Sequence, residues 1–277
     1  MPKPWRTLIR TATPALLVVL ASCSSNRFMG ADLYGEAAEP TPALVSVETD
    51  GQPTTERESG LRIGKLSAEG VLPADAFWLR PEMRAVFRRS EEGETIEVER
   101  AMSEPDPEGV RTILITSVGD GAVVGRTSIE RREDGAIVIR ENKTSDIESA
   151  FTPAALLSPR ELAVGVRVEE PFEVKTTGRP VTSGTGDGAV ELTGLGTQDV
   201  ETGLGVVRAF VIESEMSFKI GPARIVLSQR SWVDPTPGGF GLVAEESRDS
   251  VKVFGIGVHS ADRVSLIQRV GTADAED

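Results

Sequence analysis

Hydrophobic and polar residues alternate with a period of two along most of the chain between residues 61 and 271. The clearest alternation spans 206–220, where one face is apolar apart from Ser214 and the other face is polar. The apolar face consists of Phe210, Ile212, Met216, Phe218 and Ile220. A strand with one apolar and one polar face is typical of an antiparallel sheet that covers a core on one side.

Turns between these segments are marked by Asp-Gly pairs and by clusters of proline and glycine. Asp120-Gly121 and Asp134-Gly135 adjoin β-branched runs. Such pairs predict β-hairpins with type I′ turns, in which both central residues have positive φ. Further turns are predicted at 221–222 and 235–239, and the last two strands near 251–258 and 264–270.

The alternation is lost at 144–162, where 145–151 is predicted as a short helix or loop. The rest of the pattern predicts roughly ten to twelve strands and almost no helix. The predicted fold class is therefore all-β, with a curved antiparallel sheet that forms a sandwich or a half-open barrel. We expect one β domain over 61–271 and a frayed tail over 272–277, although 61–150 and 151–271 could also form two domains.

The N-terminus has a different pattern. Lys3, Arg6 and Arg10 precede an apolar run at 15–21, and small residues follow that run up to Cys23. The run is much shorter than the ~20 residues that a transmembrane helix needs. This order of basic, apolar and small residues predicts a secretory signal peptide over 1–22, removed in the mature protein.

The end of this segment, Leu20-Ala21-Ser22-Cys23, resembles the lipobox of bacterial lipoproteins. The resemblance implies cleavage before Cys23 and transfer of a diacylglycerol to its sulfur, with acylation of the new amino group as well. Two or more acyl chains hold a protein stably on a membrane. Ser24 and Ser25 imply the outer membrane rather than the inner one, so the expected location is the bacterial cell envelope, anchored at the outer membrane and facing the periplasm.

Residues 23–60 are predicted as the lipidated cysteine followed by a flexible acidic tether. Residues 24–60 contain three prolines, seven acidic residues and two arginines, with little periodic apolar pattern. Such a spacer would hold the β domain away from the membrane surface.

Composition excludes several kinds of function. The formal net charge of −13 argues against a general nucleic-acid binder, which needs basic surface to neutralise phosphate. One Cys and one His make a disulfide framework, a cysteine zinc site or a multi-histidine metal site a poor expectation. We therefore predict no metal and no cofactor.

The C-terminal half, over about 160–255, resembles the DUF3108 or TapB-like group of envelope proteins. The matching segments are Leu162-Ala163-Val164-Gly165, Glu201-Thr202-Gly203 before Val206-Val207-Arg208, and Trp232-Val233-Asp234-Pro235 before Gly239-Phe240-Gly241-Leu242-Val243. Ser231 stands where that group often has a second aromatic residue. The resemblance implies a curved antiparallel β fold whose biochemical role is unsettled.

Candidate catalytic features are few. The glycine-rich segments 184–188 and 194–196 are predicted as hairpin loops, because a phosphate loop needs a following helix and a lysine. His259, Ser260 and Asp262 are too close in sequence for a catalytic triad, and Gly-x-Ser-x-Gly is absent. Acidic pairs such as Glu245-Glu246 are predicted as solvated charge at strand ends.

These observations predict a membrane-anchored envelope lipoprotein whose β domain is a non-catalytic binding or structural module. Its expected partners are the membrane, through acyl chains on Cys23, and an envelope protein or an apolar ligand. One alternative is a carrier of lipid or another apolar ligand, held in a groove lined by the 210–220 face; such a carrier needs a cavity of roughly several hundred Å³. The other alternative is a hydrolase that uses His259 or two carboxylates in a cleft.

Overall fold

A computed structural model describes residues 55–57, 59–91, 93–144, 147–178, 184–236 and 239–272. The predicted signal peptide, Cys23 and most of the predicted tether lie outside these residues. The described part contains sixteen strands and one short 3₁₀ helix, Ala74–Phe77. The strands are β1 (Thr55–Glu56), β2 (Arg62–Ile63), β3 (Val71–Pro73), β4 (Met83–Glu91), β5 (Glu94–Met102), β6 (Arg111–Ser117), β7 (Val123–Arg131), β8 (Ile137–Thr144), β9 (Ile147–Ser158), β10 (Glu161–Ala163), β11 (Arg167–Gly178), β12 (Gly184–Thr202), β13 (Gly205–Ile220), β14 (Ala223–Val233), β15 (Leu242–Val253) and β16 (Ile256–Thr272).

Twelve of these strands form an antiparallel sheet that closes on itself. The order is β12-β11-β9-β8-β7-β6-β5-β4-β16-β15-β14-β13, and β13 pairs back with β12. β2 joins the sheet at β12 and pairs with β1, whereas β3 and β10 form a separate two-stranded sheet. The prediction of an all-β fold with a curved antiparallel sheet is confirmed, and the sheet forms a closed barrel.

The barrel interior is filled mainly by apolar side chains from alternate positions of the strands. On β13 the predicted apolar face points inward, and all five of its large side chains are at most 5% exposed. Phe218 packs near Phe172, with ring centroids 6.2 Å apart, and Phe172 packs near Phe151 at 5.4 Å. This face therefore belongs to the closed core.

The two Asp-Gly hairpins form where they are predicted, but the turn type is wrong. Gly121 and Gly135 have positive φ, whereas the aspartates before them do not. Each aspartate instead accepts a hydrogen bond from the backbone N–H two residues later, at 3.1 Å for Asp120 and 3.0 Å for Asp134. At 132–136 this gives a three-residue loop that ends in a left-handed glycine, in place of a two-residue type I′ turn.

A two-residue turn of the I′ kind occurs where none is predicted. Phe254 and Gly255 have φ of 50° and 80°, and Val253 pairs with Ile256 across them. The predicted strand 251–258 is therefore wrong, since β15 ends at Val253 and β16 begins at Ile256. Phenylalanine favours strands and is rare at positive φ, so the sequence does not indicate a turn at this position.

The prediction of a helix or loop at 145–151 is also wrong from Ile147 onward. Residues 147–158 form the continuous strand β9, which includes Pro153, whereas 145–146 lie outside the described residues. Against β8, the register of β9 jumps from Ala150 to Ala155. Pro153 lies in this bulge, where the ladder does not use its missing N–H.

The glycine-rich segments are not hairpin loops, because both lie within β12. A Cβ on Gly186 would lie 1.7 Å from the carbonyl oxygen of Lys219. Gly196 has φ of +128°, and a Cβ there would lie 2.1 Å from the carbonyl oxygen of Ser67. Glycine at these positions permits close backbone approach within and against the sheet.

Candidate functional site

Polar side chains form two rows on the inner face of the barrel, across β13, β14, β15, β16 and β4. Directly paired residues of antiparallel strands lie on the same face, so the register defines each row. The first row is Ser214, Gln229, Ser247, Arg263 and Glu91. The second row is Ser231, Glu245, Ser265 and Arg89.

The second row borders a cavity of about 80 Å³ inside the barrel. Apolar side chains such as Phe87, Ile113 and Leu157 line part of its wall. Its polar lining consists of Arg89, Arg100, Thr127, Gln229, Ser231, Glu245 and Ser265. A volume of this size holds roughly five water molecules or one small polyatomic ion. We call this space the arginine cavity.

Three charged side chains line the arginine cavity, and two of them are guanidinium groups. Arg89 and Glu245 are only 6% and 8% exposed. The Nε of Arg89 donates to Ser265 Oγ at 3.4 Å, and Gln229 Nε2 donates to Glu245 Oε2 at 3.0 Å. The formal charge around the cavity is therefore positive.

Arg100 is half-buried in the wall of the arginine cavity, whereas Arg89 and Arg263 are buried. Within the described ranges, its guanidinium forms no hydrogen bond and no ion pair. Burial lowers the pKa of Arg100, and the charge of Glu245 only partly opposes this effect. A guanidinium carries five N–H donors, so Arg100 can donate hydrogen bonds to a group that occupies the cavity.

Burial also acts on the carboxylate of the arginine cavity. It raises the pKa of Glu245, although Arg89 and Arg100 oppose the shift by favouring the charged form. Glu245 is predicted above as solvated charge at a strand end, and that prediction is wrong. Its side chain points into the barrel, whereas Glu246 next to it forms an ion pair with Arg57 at 3.0 Å on the other face.

A third inward-facing arginine, Arg263, forms ion pairs with two carboxylates. Its Nη2 lies 2.6 Å from Asp249 Oδ2, and its Nε lies 2.8 Å from Glu91 Oε1. Burial opposes the charge of Arg263, but the two carboxylates outweigh burial and raise its pKa. Across both clusters three guanidinium groups face three carboxylates, with the excess positive charge at the arginine cavity and the excess negative charge at Arg263.

The 3₁₀ helix and the β14–β15 loop lie beside the arginine cavity at one end. Phe77 and Leu242 line both the cavity and a smaller adjoining space of about 10 Å³. Asp234 shapes the loop, because its carboxylate accepts hydrogen bonds from the backbone N–H groups of Thr236 and Phe240 at 3.0 and 3.1 Å. The 3₁₀ helix and this loop therefore position Phe77 and Leu242 near Arg100.

The structure does not bring the residues of the predicted alternatives together as a site. The apolar face of β13 is packed into the core and does not line the arginine cavity. His259 lies opposite Val251, and Asp262 instead accepts a hydrogen bond from Arg248 Nε at 2.6 Å. Cys23 lies outside the described residues. In the part of the chain that is described, no cluster of three or more His, Cys, Asp or Glu could hold a metal ion.

Two signals in the sequence indicate the polar interior of the barrel. Ser214 interrupts the apolar face of β13, and it belongs to the first polar row. Arg89 and Arg100 each follow an inward apolar residue by two positions, Phe87 and Val98, and therefore point inward as well.

No family model matches the chain, and no curated protein sequence is significantly similar to it. Three solved structures are similar in fold. One is from Bacteroides fragilis and is described as an exported protein with a YmcC-like fold; it has 12% identity and a TM-score of 0.45, covering 73% of this chain and 99% of that one. A second, from Parabacteroides distasonis, is described as a lipoprotein; it has 11% identity and a TM-score of 0.47, covering 72% and 99%.

The third similar structure is YmcC of Escherichia coli, described as a hypothetical lipoprotein. It has 13% identity and a TM-score of 0.40, covering 69% of this chain and 90% of that one. Similarity at this level concerns the arrangement of strands and not the chemistry of a site. No helix among the described residues is long and apolar enough to cross a membrane.

Proposed function

We propose that the protein is a lipid-anchored lipoprotein of the bacterial envelope whose barrel is a non-catalytic binding module. We further propose that its ligand presents a small oxyanion, a carboxylate or a phosphate, to Arg100 and Arg89 in the arginine cavity. The lipobox at 20–23 supports the anchor. The observation that carries the binding function is the guanidinium of Arg100, which lines the arginine cavity and has no hydrogen-bond or ion-pair partner in the described part of the chain.

An oxyanion fits this site for three reasons. It would accept hydrogen bonds from the guanidinium of Arg100, which has no acceptor among the described residues. It would offset the excess positive charge beside Glu245. Its size matches a cavity of about 80 Å³, whereas an acyl chain needs several times that volume, roughly 300 Å³ or more. The filled core around Phe210 and Phe218 therefore favours a small polar ligand over a lipid.

The binding function is tested by anion-dependent thermal stability at constant ionic strength. Phosphate or acetate, compared with chloride, should raise the melting temperature of the wild-type chain, because a ligand that binds only the native state stabilises it. Arg100→Met should abolish this increase. Arg88→Met is the matched control, because Arg88 is the exposed neighbour of Arg89 on the opposite face. No anion effect on the wild type, or equal effects in both variants, would contradict the proposal.

The anchor is tested separately by fractionation. Cys23→Ser removes the sulfur that takes the diacylglycerol, so the protein should leave the membrane fraction. The signal peptide must be shown to be cleaved in the variant, since an uncleaved signal peptide could itself anchor it. Firm membrane association of the processed variant would overturn the lipoprotein assignment.

A further inference from the structure

The β15–β16 turn presents a cluster of exposed apolar side chains. Phe254 is 83% exposed, Ile256 70% and Val258 42%. The first two are the most exposed large hydrophobic side chains in the described ranges. Scattered exposed apolar residues need no explanation, but three within five residues at the end of one hairpin form a local patch. We call these three residues the apolar tip.

The backbone holds the apolar tip in a defined position. Phe254 N–H donates to the carbonyl oxygen of Pro222 at 3.2 Å, which ties the tip to the β13–β14 turn. Phe254 itself has φ of 50°, a conformation that suits glycine, asparagine or aspartate far better. An exposed aromatic residue in this conformation is neither stabilised by burial nor favoured by its backbone dihedral angles. This combination points to a contact outside the chain.

A row of basic side chains adjoins the apolar tip. Lys219, Arg224 and Lys252 are paired in register across β13, β14 and β15, and Lys252 pairs with Gly257 of β16. Ile256 pairs with Val253, so the basic row and Ile256 lie on the two faces of the same hairpin end. All three are exposed, and none forms an ion pair with any residue that the structure describes. Asp187 is the one acidic residue lining the surface depression that Lys219 and Arg224 share. This row is locally positive on a chain whose net charge is −13.

We propose that the apolar tip and its basic row dock on the lipid bilayer that carries the Cys23 anchor. This inference rests on the proposed lipid anchor. Aromatic and aliphatic side chains bind at the boundary between headgroups and acyl chains, and neighbouring lysines and arginines attract anionic headgroups. A soluble partner of opposite charge would neutralise the basic row. An anionic bilayer would neutralise the basic row and also remove the apolar tip from water.

The length of chain between the anchor and the barrel permits this contact. About 30 residues separate Cys23 from β1, and such a segment can extend to roughly 100 Å. Arg57, next to β1, is ion-paired to Glu246, which lies eight residues before Phe254 on β15. Eight strand residues correspond to about 27 Å. The anchor and the apolar tip can therefore reach one membrane surface together.

The test uses the full-length lipidated protein reconstituted in vesicles that contain phosphatidylglycerol. Val258→Cys places a thiol in the apolar tip, and Val206→Cys is the matched control. Both valines are similarly exposed, at 42% and 40%. Val206 lies by the β12–β13 turn, where Gly203 N–H donates to Ile267 O, eleven residues along β16 from Ile256 and about 37 Å from it. Each thiol is labelled with a fluorophore, and quenching by nitroxide-bearing lipids is measured.

Lipid quenching at position 258 should exceed that at position 206 by about twofold or more. Adding Lys219→Glu, Arg224→Glu and Lys252→Glu to Val258→Cys should reduce its quenching to the control value. Equal quenching at the two positions would overturn the proposal. Shielding of position 258 that depends on protein concentration, without lipid quenching, would also overturn it and indicate a second copy on the tip. Failure of the anchor is recognised separately, because Cys23 would then take up label and the protein would not sediment with vesicles.

Discussion

At the scale of single residues, Phe254 is exposed and adopts a backbone conformation that lowers the stability of the fold. A bulky residue in the left-handed region costs about 1 kcal/mol or more, and asparagine tolerates that region. We predict that Phe254→Asn raises the free energy of unfolding by about 1 kcal/mol, because the ring is 83% exposed and its loss removes little burial. Urea denaturation measures this change. Ile256→Asn, at an ordinary φ, is the control and should stay within about 0.5 kcal/mol of the wild type.

Phe218 gives the opposite expectation, because its ring is 3% exposed and packs against Phe172. Phe218→Ala should lower the free energy of unfolding by about 3–5 kcal/mol through lost burial and the cavity that remains. Denaturant unfolding of the purified variant checks this value. A loss below about 1 kcal/mol would mean that this face borders an open groove, and it would restore the carrier interpretation.

At the scale of elements, the two polar rows make stability depend on pH. Burial raises the pKa of Glu245 above its ordinary value, so the folded state holds that proton more tightly than the unfolded state does. The stability that Glu245 contributes is therefore present at low pH and is lost as pH rises through its folded pKa. The difference in unfolding free energy between the wild type and Glu245→Gln should decrease as pH rises above about 4.

Urea titrations between about pH 4 and pH 8 measure this trend. Asp262→Asn provides the contrasting variant. The hydrogen bond from Arg248 lowers the pKa of Asp262, so its contribution should be lost as pH falls. A flat or rising difference for Glu245→Gln would show that the carboxylate is not held in a desolvated site.

The sequence predicts strands better than it predicts their turns and pairings. Alternation marks β13 because one of its faces is apolar and the other polar, which is a local property. It fails at Phe254-Gly255, where a strand-forming residue occupies a turn, and at Pro153, where a bulge removes the usual penalty for proline. Alternation also shows that Arg100 points the same way as Val98. Only the packed structure shows that this direction leads into a cavity, where Arg100 has no ion-pair partner among the residues that the structure describes.

At the scale of the whole molecule, β16 closes the barrel. It pairs with β15 on one side and with β4 on the other. We predict that truncation after Gly255, which removes β16, abolishes the cooperative thermal transition and the near-ultraviolet circular dichroism of the domain. Truncation after Thr272 removes only residues beyond β16 and is the matched control, which should melt like the full chain. A cooperative transition in the shorter chain would mean that the remaining strands fold cooperatively without β16.

The pairing of β4 with β16 also determines when the barrel can close during synthesis of the chain. Met83 meets Thr272 and Glu91 meets Arg263, so the closing contact joins segments roughly 180 residues apart. As the chain emerges from a ribosome or a translocation pore, β4 appears early and its partner appears last. Until then one edge of β4 stays unpaired, and an unpaired edge is a template for pairing with other chains. Maturation of this protein therefore includes an interval, ended by the appearance of β16, in which the barrel is open and the edge of β4 is exposed.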